Sequence, residues 1–157
     1  GRMFTGDRSG AWLYAALHRA GYAALPASQS ATDEQRLTDL RIVAPVRCAP
    51  PDNKPTTEEF VTCAPWLHRE VVLAEPSLES ILALGALAWS AVRKTIRQLG
   101  WQVPSPAPRF GHGATASLGS PSGRVVRLVG SYHVSQQNTF TGRLTAQMLD
   151  DAVALLR

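Results

Sequence analysis

The chain has 157 residues, of which 45% are hydrophobic, enough to bury the core of a single domain. No apolar run approaches the roughly 18 residues of a membrane-spanning helix, and the first residues lack the apolar stretch of a secretory signal, so we expect a cytoplasmic protein without a membrane segment. The net charge of +4 is unevenly placed: residues 80–149 contain seven basic side chains and no Asp or Glu, which indicates either a polyanionic partner or an ordinary solvated surface.

The first predicted element is a helix. Apolar residues recur at helical spacing over residues 11–20, with Ser9 as the expected cap at the start and Gly21 at the end. Residues 22–37 are rich in Ala, Ser, Gln and Thr, and this composition predicts a loop.

A strand, a rigid loop and a second helix are predicted next. Residues 40–46 are rich in β-branched side chains and predict a strand. Residues 48–55 contain three prolines, which exclude a helix or an inner strand. Thr56 and Glu59 have the spacing of a capping box, so a helix should begin there and run to about Leu73.

The rest of the chain alternates between strands and helices. Residues 81–84 form a short apolar run that ends at Gly85, which is typical of a buried parallel strand. Further along, the patterns predict a helix over 86–99, a loop over 101–108, strands over 115–118 and 125–132, and a helix over 144–156. This alternation predicts the α/β class with a mainly parallel sheet.

Two polar loops follow predicted strands, one over residues 48–55 and the other over residues 133–142. Ligands of open α/β sheets bind beyond the carboxyl ends of the strands. We therefore expect the two loops to share a pocket, although these patterns leave its ligand open.

Three segments resemble motifs of the uracil-DNA glycosylase superfamily, in chain order. Residues 1–10 (GRMFTGDRSG) resemble the end of the first motif, and residues 48–63, which begin CAPPDNKPT, resemble the uracil-reading loop and cluster segment of the iron–sulfur families. Residues 133–143 (HVSQQNTFTGR) resemble the last motif in the form found in family 5, also called type B. Family 4 usually has His-Pro-Ser there, so Val134 and residues 110–113 (FGHG) favour family 5.

The resemblance implies a three-layer α/β/α sandwich around a central, mainly parallel four-stranded sheet. It also implies that the first strand, the residue that activates water and two cysteine ligands precede Gly1. On this interpretation, residues 1–157 are a fragment, the C-terminal part of one uracil-DNA glycosylase domain.

The resemblance gives three residues a role in binding the base. The amide of Asn53 matches O4 and N3–H of uracil, although an Asn before Lys-Pro also suits a turn. His133 is expected to donate a hydrogen bond to O2 as the glycosidic bond breaks, whereas in isolation it suits a cap or the core edge. Phe4 is expected to stack on the extruded base or, alternatively, to pack beneath the first helix. Four aromatic side chains on helical stripes are expected in the core: Trp12, Tyr14, Trp66 and Trp89.

The segment from Ser135 to Arg143 is expected to enter the DNA duplex. By analogy, Gln137 is the candidate wedge, with Gln136 and Asn138 beside it. Hydroxyl groups and charge predict phosphate contacts for Ser135, Thr141 and Arg143. Two further residues have weaker assignments: Asp7 as a helix cap or pocket residue, and His112 as a residue near the DNA.

The two cysteines, Cys48 and Cys63, leave three possibilities by themselves: a disulfide, two inert buried thiols or half of a metal site. The resemblance places them at the third and fourth ligands of a 4Fe–4S cluster, which needs four thiolates. The chain would then supply two of the four, and the cluster would stabilise the loop that carries Asn53.

The activity implied is hydrolysis of the N-glycosidic bond of uracil in DNA after base flipping, with hypoxanthine as a further base. We expect a monomer that binds DNA and no membrane. The alternatives are a family 4 enzyme, a non-catalytic DNA-binding module of the same fold, and an enzyme of small nucleotides, which the lack of a phosphate-binding Gly loop disfavours.

Overall fold

The computed structural model describes residues 3–48, 50 and 54–157. Within these residues the helices and strands follow one another in a fixed order. They are α1 (Arg8–Arg19), α2 (Thr57–Ala74), β1 (Ser80–Leu84), α3 (Ala86–Gln98), β2 (Thr115–Gly119), β3 (Val125–Ser131), α4 (Gln136–Phe140) and α5 (Ala146–Ala154), with a short 3-10 helix (Glu75–Ser77) after α2.

The described strands form one sheet in the order β1-β3-β2. β1 and β3 are parallel, with Leu82 opposite Val129, because α3 carries the chain back across the sheet between them. β2 and β3 are antiparallel, since only residues 120–124 join them and so short a turn makes a hairpin. The sheet of the described residues is therefore mixed, where the sequence predicted a mainly parallel one.

Helices cover both faces of the sheet. Leu82 and Val129 face a core cluster with α1 and α5, whereas Ala83 and Leu128 face a second cluster with α2 and α3. Neighbouring residues of a strand point to opposite faces, so β1 and β3 each contribute to both clusters, whereas β2 contributes Leu118 to the second cluster. This arrangement confirms the α/β class and the three layers.

Polar side chains cap the first two helices. Asp7 caps α1, because its Oδ1 accepts the N–H of Gly10 at 2.6 Å, so the assignment of Asp7 as a helix cap is confirmed and that of Ser9 is wrong. The predicted capping box at α2 is confirmed: the Glu59 carboxylate accepts the N–H of Thr56 at 2.7 Å, and the Thr56 hydroxyl accepts the N–H of Glu59 at 3.2 Å.

Residues 40–46 contain no strand, which corrects the prediction from their β-branched composition. Leu40 and Ile42 still pack against the first core cluster. Arg41, within this stretch, and Arg47, directly after it, both bind the carboxylate of Glu70 on α2. This segment is therefore attached by side-chain contacts and not by the backbone hydrogen bonds of a β-sheet.

Two further expectations differ from the structure. Trp66 is 58% exposed although its helical stripe predicted burial, whereas Tyr14 and Trp89 are buried and Trp12 packs against the core. Helix α4 lies where a loop was expected, because five residues are too few to show a helical period. None of the helices in the described ranges combines the length and apolar character needed to cross a bilayer.

Candidate functional site

Phe4 and His133 lie side by side at the carboxyl end of the sheet. Their ring centroids are 6.3 Å apart and the ring planes make an angle of 41°. His133 follows β3, which ends at Ser131, and Phe4 lies in the loop before α1. The structure thus brings together two of the three residues predicted to bind the base, although they are 129 positions apart. The third, Asn53, lies outside the described residues.

The loop that carries Phe4 is fixed by its neighbours. Phe4 has a φ of +56°, an uncommon conformation for a bulky residue. The hydroxyls of Thr5 and Ser28 are 3.0 Å apart, and the N–H of Gly6 donates to the Ser28 carbonyl at 2.9 Å. Gly10 lies directly beneath, so that a Cβ at position 10 would overlap the Phe4 carbonyl oxygen. The strained conformation of Phe4 therefore depends on a glycine in α1.

His133 is held by Gly85 and Asn138. Gly85, between β1 and α3, has a φ of +91°, and a Cβ there would lie 3.3 Å from the Cβ of His133. The side-chain amide of Asn138 donates to the His133 carbonyl at 2.9 Å. The backbone that carries the imidazole is therefore positioned by Gly85, between β1 and α3, and by Asn138 on α4.

The electrostatic environment favours the neutral imidazole of His133. Loss of surrounding water lowers its pKa from the ordinary value of 6.5, and the carboxylate of Asp7 opposes this in part. The ring nevertheless keeps an exposed surface through which a ligand can reach it. At neutral pH, His133 can therefore donate one N–H without carrying a charge.

His112 supports the backbone next to His133. Its Nδ1 accepts the N–H of Tyr132 at 3.2 Å, so its Nε2 carries the hydrogen and donates to the carbonyl of Met148 at 3.1 Å. Because both ring nitrogens bind backbone groups, His112 is a positioning residue. Neither ring nitrogen is available for a hydrogen bond to DNA, and the expected position of His112 near the DNA stays a prediction.

Helix α4 begins two residues after Val134, which is fully buried. Ser135 caps it, since its hydroxyl accepts the N–H of Asn138. The side chains of Gln136 and Gln137 are exposed on its first turn.

The residues after α4 are partly engaged within the protein. The Thr141 hydroxyl donates to the carbonyl of Gln137 at 2.7 Å, which closes the helix end. The guanidinium of Arg143 lies 4.7 Å from the centroid of the Tyr132 ring, and the side chain remains exposed. Arg143 thus packs on Tyr132, the residue before His133, and its guanidinium stays accessible to solvent.

Cys48 and Cys63 are both free and near each other. The N–H of Arg47 donates to Cys63 Sγ at 3.4 Å, and Cys48 Sγ is 3.6 Å from a Glu59 carboxylate oxygen. Desolvation, then Glu59 and Cys63, raise the pKa of the exposed Cys48 thiol. These thiols are neither paired in a disulfide nor deeply buried. The described residues contain no cluster of three or more metal-binding side chains.

A groove of about 1490 Å³ runs along β1 and reaches the site. Phe4 and His133 line one part of it, and apolar residues such as Leu40 and Leu78 line others. The groove is far larger than a single base, so the paired rings mark the candidate binding position more closely than the groove does.

The structural roles of three residues near the site were missed in the sequence. Gly10 and Gly85 allow close packing against Phe4 and His133, and His112 bridges two backbone groups. Gly85 carried a detectable signal, because a glycine between an apolar strand and a helix lies at the end where α/β proteins bind ligands. No local pattern distinguishes Gly10 from a helix-weakening glycine, since its contact is with the preceding loop.

Known proteins resemble this chain throughout. A family model for the uracil DNA glycosylase superfamily matches residues 1–157. A protein of Mycobacterium tuberculosis named Type-5 uracil-DNA glycosylase is 54% identical over 96% of this chain and 53% of its own length. Proteins of the same name from Thermus thermophilus and Pyrobaculum aerophilum are 47% and 37% identical, over 94% and 98% of this chain and 63% and 62% of their own lengths. The chain thus spans about half the length of the mycobacterial relative, and it belongs to the uracil DNA glycosylase superfamily.

Proposed function

We propose that this protein hydrolyses the N-glycosidic bond of uracil in DNA, as a type-5 enzyme that acts as a monomer on an extruded nucleotide. The names of its relatives support this activity. The observation that carries the proposal is the pairing of the Phe4 and His133 rings, 6.3 Å apart, beyond the carboxyl end of β3. An aromatic face and a neutral hydrogen-bond donor are what an extruded pyrimidine needs.

In this proposal His133 stabilises the leaving base. Cleavage of the glycosidic bond places negative charge on the pyrimidine and positive charge on the sugar. An N–H aimed at O2 gains strength as that charge develops, so it stabilises the transition state more than the ground state. A neutral imidazole still carries one N–H that it can donate, so the lowered pKa of His133 is compatible with this role.

Phe4 and Asn53 would hold the same base from other directions. Phe4 offers a ring face for stacking, worth about 1–3 kcal/mol and independent of base identity. Asn53 would read O4 and N3–H and so distinguish uracil from cytosine, whose donor and acceptor are reversed. Asn53→Asp should therefore reduce excision of uracil more than binding of the DNA backbone.

DNA is the proposed partner, and the rim after His133 is its proposed contact. Ser135, Gln136, Gln137, Asn138, Thr141 and Arg143 belong to this rim. Arg143 keeps an exposed guanidinium for a phosphate, and the exposed glutamines project from α4, which ends three residues before it. Residues 80–149, which include this rim, contain no acidic side chain, and this charge distribution favours the approach of a polyanion.

Cys48 and Cys63 are proposed ligands of an iron–sulfur cluster. Two free thiols on neighbouring segments, with a backbone N–H directed at one sulfur, fit half of a thiolate donor set. When bound, a 4Fe–4S cluster would link the loop after Cys48 to α2. Replacement of Cys63 by Ser should lower the iron content and the visible absorbance of anaerobically purified protein, and unchanged iron would contradict the assignment.

The activity is tested by single-turnover cleavage of DNA that contains uracil or hypoxanthine. In His133→Ala, loss of the donor should raise the activation barrier for uracil excision by about 2.7–4 kcal/mol and slow the reaction accordingly. His68→Ala is the matched control, because His68 lies on α2 and its Nε2 is 3.0 Å from Oε1 of the Gln98 side chain on α3. Binding of the DNA without cleavage would instead support a non-catalytic module.

A further inference from the structure

Phe140 is a large apolar side chain that stays in solvent. It is the last residue of α4, and it is 65% exposed. Single exposed apolar residues are common on protein surfaces, so exposure alone assigns no role. Its place in the chain is informative, because it lies seven residues after His133, between Asn138 and Thr141 of the rim proposed to contact DNA.

The ring of Phe140 makes a cation–π contact with Arg8. The guanidinium of Arg8 lies 4.8 Å from the centroid of this ring. Arg8 begins α1 directly after Asp7, whose charge acts on His133. The Arg8–Phe140 pair therefore joins the two segments that carry Phe4 and His133. A guanidinium over an aromatic face restricts the ring and leaves N–H groups for an anion.

We propose that Phe140 enters the DNA duplex in place of the extruded nucleotide, and that Arg8 binds a phosphate beside the gap. This inference rests on the proposed excision of uracil. Extrusion leaves a gap between two base pairs, and proteins that open base steps commonly insert apolar side chains such as Phe. Gln137 is the competing candidate, but its amide loses hydrogen bonds with water on entering the base stack.

The test compares duplex and single-stranded substrates of the same sequence. A wedge is needed only where a base must leave a stack. Phe140→Ala should therefore slow single-turnover excision of uracil from a U·A duplex by about ten-fold or more, and change excision from the single strand by less than about two-fold. Phe140→Leu keeps an apolar wedge, so its excision rate on the duplex should lie between those of the unmodified protein and Phe140→Ala.

Two control variants make the result specific. Val125→Ala removes an apolar side chain that is 71% exposed at the opposite end of β3, and it should leave both substrates unchanged. Gln137→Ala tests the competing wedge. A duplex-specific loss in Gln137→Ala with none in Phe140→Ala would overturn the proposal, as would equal losses on both substrates in Phe140→Ala.

A fluorescence readout separates this inference from the activity. 2-Aminopurine placed next to the uracil brightens when the neighbouring base leaves the stack. The unmodified protein should produce this rise, and Phe140→Ala should reduce it. If the protein cleaves neither substrate, the proposed function is wrong. The fluorescence difference would then still decide whether Phe140 opens the duplex.

Discussion

The α-carbon of Gly85 lies against His133, so closely that a Cβ at position 85 would come to 3.3 Å from the Cβ of the histidine. The φ of +91° and ψ of 164° at Gly85 are moreover in a region that almost only glycine occupies. We predict that Gly85→Ala destabilises the fold by about 1–3 kcal/mol and displaces His133. Thermal unfolding gives the first effect and uracil excision the second.

Gly100→Ala is the control for this substitution. Gly100 also has a positive φ, of +77°, but nothing lies within 4 Å of an added Cβ. It should show the cost in stability without the loss of excision. Equal activity losses in the two variants would mean that Gly85 does not position His133.

Gly10→Ala should reverse the usual effect of this substitution in a helix. Alanine normally stabilises a helix interior by about 1 kcal/mol relative to glycine. Here the new Cβ would overlap the Phe4 carbonyl oxygen, so the loop that carries Phe4 must move. We expect a lower melting temperature together with weaker binding of uracil-containing DNA. A raised melting temperature with unchanged binding would contradict the contact.

Asn138→Asp removes the donor that holds the His133 carbonyl while it keeps the size of the side chain. The lost hydrogen bond at 2.9 Å should cost about 0.5–1.5 kcal/mol of stability. Excision should fall on single-stranded and duplex substrates alike, because the change acts through His133. A loss confined to salt-dependent DNA binding would show that Asn138 acts as a DNA contact only. Urea denaturation and single-turnover rates measure the two quantities.

The titration of His133 should make stability depend on pH in a defined direction. The folded state lowers the pKa of His133 through desolvation, partly offset by Asp7, so folding favours the neutral ring. The corresponding stability is therefore present above the ordinary pKa of 6.5 and is lost as the pH falls through the folded pKa. His133→Gln should lose less stability than the unmodified protein between pH 7.5 and 5. Identical pH dependence of denaturation in the two proteins would contradict the shift.

Arg143→Ala should weaken DNA binding in proportion to one lost phosphate contact. The slope of log K against log salt concentration should become shallower by about 1. Arg124→Ala, at the far end of the sheet before β3, removes the same charge and should leave the slope unchanged. A similar change in both variants would indicate a general effect of net charge. Fluorescence anisotropy over a salt series measures the slopes.

The sequence predicted elements whose causes are local. The capping box of α2 and the apolar run of β1 are each encoded within a few residues, and both are confirmed. The resemblance predicted a shared site for Phe4 and His133, whose rings lie 6.3 Å apart, and no periodicity could show this proximity. The proposed contacts of Gln136, Gln137 and Thr141 with DNA remain predictions.

The failures have non-local causes. Residues 40–46 have strand composition, but a strand needs a partner along its edge, and Arg41 and Arg47 instead attach this segment to Glu70. The exposure of Trp66 depends on which side of α2 the sheet covers, with the Arg47 guanidinium 5.1 Å from its ring centroid. Neither fact is visible in the spacing of residues along the chain.

The imidazole of His112 joins two main-chain groups, the Tyr132 N–H and the Met148 carbonyl. The identity of the side chains at 132 and 148 is therefore irrelevant to this bridge, whereas position 112 requires a flat group that accepts at one end and donates at the other. Substitution of the Met148 side chain on α5 should therefore leave this bridge intact, whereas replacement of His112 should loosen α5 from the backbone beside His133.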